Sequence, residues 1–185
     1  MRWFISDMHF GHTNIIEYCS RPFRDTTHMD EQLALNWNGL IRPEEQVFVV
    51  GDVALGCFER ASEIIKSLNG YKILIRGNHD RSIEKMLQMG FDRVHNELEL
   101  ELKDGRRALI KHKPQLWNVI QPRDVQIHGH HHKGPRSLGR RINVCVDLWD
   151  YRPVMEDQLI IICNGRPEDG DSDLIDSMNH MSHRE

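Results

Sequence analysis

Five short segments carry residue types that could do metal or acid–base chemistry. They are Asp7 and His9; Asp52; Asn78 and His79; His112; and His130 and His132, within a run that also holds His128 and His131. Imidazole and carboxylate without thiolate form a donor set for Mn, Fe, Zn, Co or Ni. Seven or eight such donors are too many for one tetrahedral zinc and suit two ions with open positions. A two-metal site can generate a nucleophile from water at neutral pH and clamp a phosphoryl group. Each segment alone also has a bland reading. Asp7 could be a turn residue at a strand end. Gly77-Asn78 could be a turn with a helix N-cap, His112 a satisfied structural histidine, and the histidine run an adventitious surface chelator. Chemistry requires that they meet in space.

The elements between them are arranged so that they can. A short apolar stretch, residues 3–5, ends at Ser6-Asp7, and a continuous apolar run, residues 47–50, ends at Gly51-Asp52. Residues 71–75 form a third run ending at Arg76-Gly77-Asn78-His79-Asp80. Helical turns are expected at 13–19. The apolar spacing at 29, 33, 37, 40 and 41 predicts a helix over 29–41, stopped by Pro43. Further helices are expected at 58–68, closed by Asn69-Gly70, and at 81–89, closed by Gly90. Beyond that the pattern changes. Leu98, Leu100 and Leu102 alternate with glutamates, Asp104-Gly105 signals a hairpin, and residues 108–110 return to deliver His112. Residues 125–127 lead into the histidine run and 141–146 lead to Asp147, while 158–163 fits helix or strand. The first half is therefore β-α-β-α-β with buried parallel strands, and the second half is expected to be antiparallel. Two sheets packed face to face with helices outside follow, an α/β class architecture. Every chemical segment then lies just past the carboxyl end of a strand, where open α/β sheets bind ligands. If the stretches are extended, Asp7 and His9 point to one side, as do His130 and His132, and each pair can grip a metal as a clamp.

Composition bounds the alternatives. The chain has 185 residues, 39% of them apolar, which suits one domain with a proper core. A net charge of −4 argues against coating nucleic acid, which depends on counterion release by Lys and Arg. Cys19, Cys57, Cys145 and Cys163 show no C-x-x-C pairing, and Cys145 and Cys163, in apolar runs, are expected to be buried thiols. The opening residues hold no long apolar stretch, and the longest apolar run, 159–163, is too short to span a membrane. A reduced, cytoplasmic protein with no membrane partner is expected. Residues 1–163 form the expected domain, and 164–185 a polar, mobile tail with at most a helical turn near 174–178.

Asp7-Met8-His9, Gly51-Asp52, Gly77-Asn78-His79-Asp80, His112-Lys113-Pro114 and Gly129-His130-His131-His132 resemble, in order, the five motifs of calcineurin-like metallophosphoesterases. The opening Phe4 to His12 and the segment from Val146-Asp147 to Tyr151-Arg152-Pro153 are similar to small bacterial and phage members. The resemblance implies a four-layer α/β/β/α sandwich with two mixed sheets and two divalent ions, manganese first, with Fe, Zn, Ni or Co as alternatives. It implies that Asp7, His9 and His132 hold one ion, that Asn78, His112 and His130 hold the other, and that Asp52 bridges them. A bridging hydroxide would attack phosphorus, and His79, not a ligand, would assist the leaving oxygen. His12 and Arg81 are candidate substrate contacts. The Ser/Thr protein phosphatases of this superfamily carry G-D-x-V-D-R-G at the second motif. This chain has Gly51-Asp52-Val53-Ala54-Leu55-Gly56, without the second Asp and without the Arg that would grip a monoester. The expected substrate is accordingly a small phosphodiester, a nucleotide among the candidates. A phosphomonoester or pyrophosphate is the alternative, and an oligomer is compatible with this reading. The superfamily also includes a retromer subunit that uses the fold mainly for interaction. The presence of His79 and all seven ligands argues against such a scaffold here.

Overall fold

The computed structural model describes residues 1–115 and 124–164. The expected turn near 174–178, Trp117 and the tail from residue 165 lie outside the described residues. Among the described residues, no helix is long and apolar enough to cross a membrane.

The first sheet contains β1 (Arg2–Ile5), β2 (Gln46–Val49), β3 (Tyr71–Ile75) and β4 (Arg93–His95), all parallel, with β10 (Val154–Met155) antiparallel at the β1 edge. α1 (Thr13–Tyr18) and α2 (Thr26–Asn38) connect β1 to β2. α3 (Phe58–Ser67) leads from β2 to β3, and α4 (Ile83–Met89) from β3 to β4. The second sheet runs in the order β5 (Leu98–Glu101), β6 (Arg107–Ile110), β7 (Val125–His128), β9 (Arg141–Asn143), β8 (Ser137–Leu138). The two sheets and their helices bear out the expected sandwich. One expectation is corrected: the second half is mixed, because β6–β7 and β7–β9 are parallel. Only the β5–β6 hairpin and the β8–β9 pair are antiparallel. Parallel pairing sends His112, the histidine run and Asp147 off the same end of the second sheet.

The strand pleat divides the core in two. Trp3, Ile5, Val47, Val49 and Leu74 point toward the helices and meet Met29, Leu33, Trp37, Ile64 and Ile65. Phe4, Phe48, Val50, Ile73 and Ile75 point to the other face and meet Ala108, Ile110, Val125, Ile127 and Ile142 of the second sheet. Phe4 and Phe48, adjacent on the parallel pair, stack with ring centroids 5.1 Å apart.

Several boundaries move for local reasons. α2 begins at Thr26 because the Asp25 side chain caps it by accepting the His28 amide, three residues before the apolar spacing starts. α4 begins after Arg81 because Ser82 caps it through the Lys85 amide. The ambiguous stretch 158–163 lies in helix α5 (Glu156–Asn164), whose Leu159 enters the inter-sheet core. Cys145 is buried as expected, but Cys163, on α5, is only partly covered.

Candidate metal centre

The two sheets join at their carboxyl ends. Ser6, just past β1, forms a bridge to Cys145, just past β9, and donates its amide to the Val144 carbonyl. Asp7, Asp52 and His79 arrive here from the first sheet, and His112, His130 and His132 from the second. Asp52 Oδ2 lies 3.3 Å from His112 Nε2 and 3.8 Å from His9 Nε2, while Asp7 Oδ1 lies 3.9 Å from His132 Nε2 and 4.0 Å from His112 Nε2. The ring centroids of His112 and His130 are 5.2 Å apart, as are those of His9 and His132.

The backbone reaches these positions in a way the sequence pattern does not suggest. Asp7 (φ 58°), His9 (φ 54°), Asp52 (φ 53°) and His130 (φ 71°) all occupy the left-handed region. The clamp pairs are therefore not extended segments. Each is a tight turn that brings side chains and backbone round one point. Non-glycine residues held there cost about 1–3 kcal/mol each and persist only where surrounding contacts over-determine them. Those contacts are present. Asp80 accepts the amides of Asp52, Val53 and Gly77, stitching the loop after β2 to the loop after β3. Asp52 Oδ1 accepts the His79 amide, and Asp7 accepts the His130 amide and the Ser6 hydroxyl. The packing leaves no room for side chains at the neighbouring glycines. A Cβ on Gly77 would run into the Asp52 carboxylate, and one on Gly51 (φ 83°) would lie 2.5 Å from His112 Nδ1.

Charge and burial favour cation binding. Burial pushes His9 down to about 3 and His130 down to about 4, so both imidazoles are neutral, with lone pairs free, at neutral pH. Burial raises the Asp7 carboxyl despite His112 and His132 beside it. Asp52 is held at about 2, because His112 and the His79 amide outweigh its burial. His9 Nδ1 and Nε2 are buried without a hydrogen-bond partner, and buried His112 Nε2 has only the Asp52 carboxylate near it, at 3.3 Å. Buried polar atoms are normally paired, so each such exception needs an explanation, and a metal ion would satisfy these nitrogens. Donor atoms of Asp7, His9 and Asp52 lie within 4.8 Å of one another, and so do those of Asp52, His112 and His130. The two groups share Asp52. Asp7, His132 and Cys145 form a further group, but burial drives the Cys145 thiol well above its usual range, so it stays protonated and donates to Asp147.

The other expected residues stand outside this buried floor. Asn78 is exposed, between Gly77 and His79, which both face Asp52. The His79 side chain is 45% exposed, with Nε2 3.9 Å from Asp52 Oδ2. The His12 ring lies 5.6 Å from that of His9. Arg81 does not point to the floor. Its guanidinium sits 5.1 Å over the Phe58 ring, at the edge of a cavity of about 110 Å³ that His79 also lines. His128 is buried against the Gly129 carbonyl, and His131 is exposed.

Sequence reasoning assigns no role to Asp80, Arg21 or Asp147. Asp147 Oδ2 is 2.7 Å from His132 Nδ1, and Arg21 forks onto both Asp147 oxygens at 2.9 and 2.8 Å. Against their burial, this contact pulls Asp147 down to about 2 and lifts His132 to about 10. The strand-end position of Asp147 is the available signal, the same one that marks Asp7 and Asp52.

The profile of the calcineurin-like phosphoesterase family matches residues 2–177. The chain belongs to that family. As a calcineurin-like phosphoesterase it is a metal-dependent hydrolase of phosphoester bonds, from a family whose members use two metal ions. It is 32% identical over 167 residues to the uncharacterized protein MJ1445 of Methanocaldococcus jannaschii, covering 85% of this chain and 88% of that one. It is 26% identical to the gene 66 protein of Mycobacterium phage L5, over 88% of this chain and 93% of the phage protein. Among solved structures, the protein of unknown function AQ665 from Aquifex aeolicus superposes with a TM-score of 0.71 at 28% identity, covering 88% of this chain and 98% of that one.

Proposed function

We propose that this phosphoesterase prefers phosphodiesters and works with two divalent ions, manganese first among them. Asp7, His9 and His132 would hold one ion and Asn78, His112 and His130 the other, with Asp52 shared. When bound, the ions supply Lewis acidity and a water made nucleophilic at neutral pH. The protein's own residues do the rest. His112 donates Nδ1–H to the Val50 carbonyl at 2.8 Å, which aims its Nε2 at the shared Asp52, 3.3 Å away. His132 is turned in the same way by Asp147. Asp52 fixes the His79 loop through the His79 amide, so the imidazole stands at the rim, where a leaving oxygen would emerge. There His79 can hold a proton for that oxygen.

The preference for diesters rests on one observation: Val53, Ala54, Leu55 and Gly56 follow the shared aspartate, without the Asp-Arg pair that the protein phosphatases carry there. Leu55 is 40% exposed at the rim where the protein phosphatases place their Asp-Arg pair. Arg21 is buried and committed to Asp147 and to backbone carbonyls, and Arg81 leans on Phe58. A monoester at neutral pH carries nearly two charges, and enzymes that favour it usually fork an arginine onto the extra oxygens. A diester needs no such fork. With manganese bound, the specificity constant for a bis-aryl phosphate is therefore expected to exceed that for the mono-aryl phosphate at the same pH. A tenfold preference for the monoester, about 1.4 kcal/mol in transition-state binding, would overturn the diesterase reading.

A further inference from the structure

Beneath the metal-facing residues lies a buried ion pair between Arg21 and Asp147. Arg21 is 4% exposed and sits in the connection between α1 and α2. Its Nε and Nη2 donate to the two oxygens of Asp147, its Nη2 also donates to the Asp7 carbonyl at 2.7 Å, and its Nη1 donates to the Met8 carbonyl at 2.9 Å. Asp147 accepts from His132 Nδ1 at 2.7 Å and from the Cys145 thiol at 3.3 Å. One guanidinium thus holds the left-handed turn that carries Asp7 and the carboxylate that orients His132. The opposite nitrogen of that ring, Nε2, faces Asp7 Oδ1 at 3.9 Å.

His112 and His9 have nothing equivalent. His112 is oriented by a neutral carbonyl, and neither ring nitrogen of His9 has a hydrogen-bond partner. An anionic partner fixes the tautomer, stiffens the ring and makes the ligating nitrogen a better donor. Charge pairs of this depth contribute little net stability compared with apolar replacements, so fold stability alone does not account for this one.

We propose that Arg21 and Asp147 are positioning residues for one half of the metal centre, setting how tightly the ion held by Asp7, His9 and His132 is retained. The inference rests on the ligand assignment proposed above. Neither residue touches substrate. Their effect passes through His132 and the backbone at Asp7 and Met8.

Calorimetric titration of the chelator-stripped full-length protein with Mn²⁺ tests this without recourse to turnover. Wild type should take up two ions. Asp147→Asn should still take up two, with one bound about 10–100-fold more weakly, the usual cost of losing such a partner, and the other unchanged. Asp147→Asn leaves Arg21 buried without its counter-charge and could unfold for that reason. The double variant Arg21→Met, Asp147→Asn removes the stranded charge and should show the same selective weakening. Ile64→Ala, in the helix-side core, is the control for a purely structural effect: it should lower the melting temperature and leave both affinities alone. Wild-type affinity at both sites in the Asp147 variants would overturn the proposal, and so would equal weakening of both ions. A wild-type protein that binds fewer than two ions would overturn both this proposal and the ligand assignment beneath it.

Discussion

His132 and His79 each place a ring nitrogen 3.9 Å from an aspartate oxygen, yet their surroundings are opposite. The His132 side chain is 19% exposed, with its second nitrogen bonded to an aspartate that an arginine holds from behind. The His79 side chain is 45% exposed; its amide is held by Asp52, and its ring meets the His9 ring edge-on at 5.8 Å. The first region is built to keep a ring still. The second leaves a ring free to meet something arriving from solvent. Similar distances to a carboxylate therefore do not mean similar roles. The partner of the far nitrogen, and the burial of the ring, separate a holding histidine from an acting one.

The most severe way to break this contrast is at Asp52, which both regions touch. Asp52→Asn keeps the shape but removes the charge that His9, His112 and His79 all face. Metal content after manganese loading is expected to fall at both positions, and turnover to drop on the order of 10³-fold, the upper range for losing one preorganised electrostatic contact. Elemental analysis with kinetics on the same sample checks this. Two tightly held ions in the variant would show that Asp52 is not shared.

His79→Ala sharpens the comparison. Turnover should fall about 10²-fold or more while metal content stays at the wild-type level. The loss should shrink for substrates with good leaving groups, which need no proton. If the variant loses its ions as well, His79 belongs with His132, and the division between holding and acting fails.

Much of the site is legible in the order of residues. Asp7, Asp52 and His112 follow apolar runs, and a strand-end position is enough to predict that they meet. What stays hidden is conformational. Nothing in Asp7-Met8-His9 announces two left-handed residues, because that geometry is imposed by Arg21, by the Gly51 and Asp52 carbonyls that accept the Asp7 and His9 amides, and by the second sheet. Arg21 escapes notice because it lies in an irregular connection and pairs with a residue 126 positions away. The mixed character of the second sheet is equally hard to read, because a clear hairpin at Asp104-Gly105 says nothing about the two parallel pairings that follow.

Asp30 extends the comparison to a carboxylate without a tightly bound cation, and there the expected effect is smaller. It is buried on α2, accepts the Gly11 amide at 3.1 Å, and lines a cavity of about 230 Å³ beyond the rim. Asp147 has Arg21 and His132 against it and is pulled down to about 2, whereas burial pushes Asp30 up to about 6, against the Gly11 amide and the more distant Arg60. The folded-state value lies above the ordinary 3.8, so the folded protein binds more protons than the unfolded chain between those two values. The contribution of Asp30 to stability is therefore fully present below 3.8 and is lost as pH rises through about 6. Asp30→Asn cannot ionise, and its amide oxygen can still accept from Gly11. Near pH 4 the variant should melt with the wild type. At pH 7.5 it should be the more stable by on the order of 1 kcal/mol after solvent screening, or about 2–4 °C for a chain of this size. Melting curves of the metal-free proteins at the two pH values decide it. A wild type that is the more stable at pH 7.5 would mean that Arg60 neutralises Asp30 as Arg21 does Asp147, and the contrast between the two carboxylates would vanish.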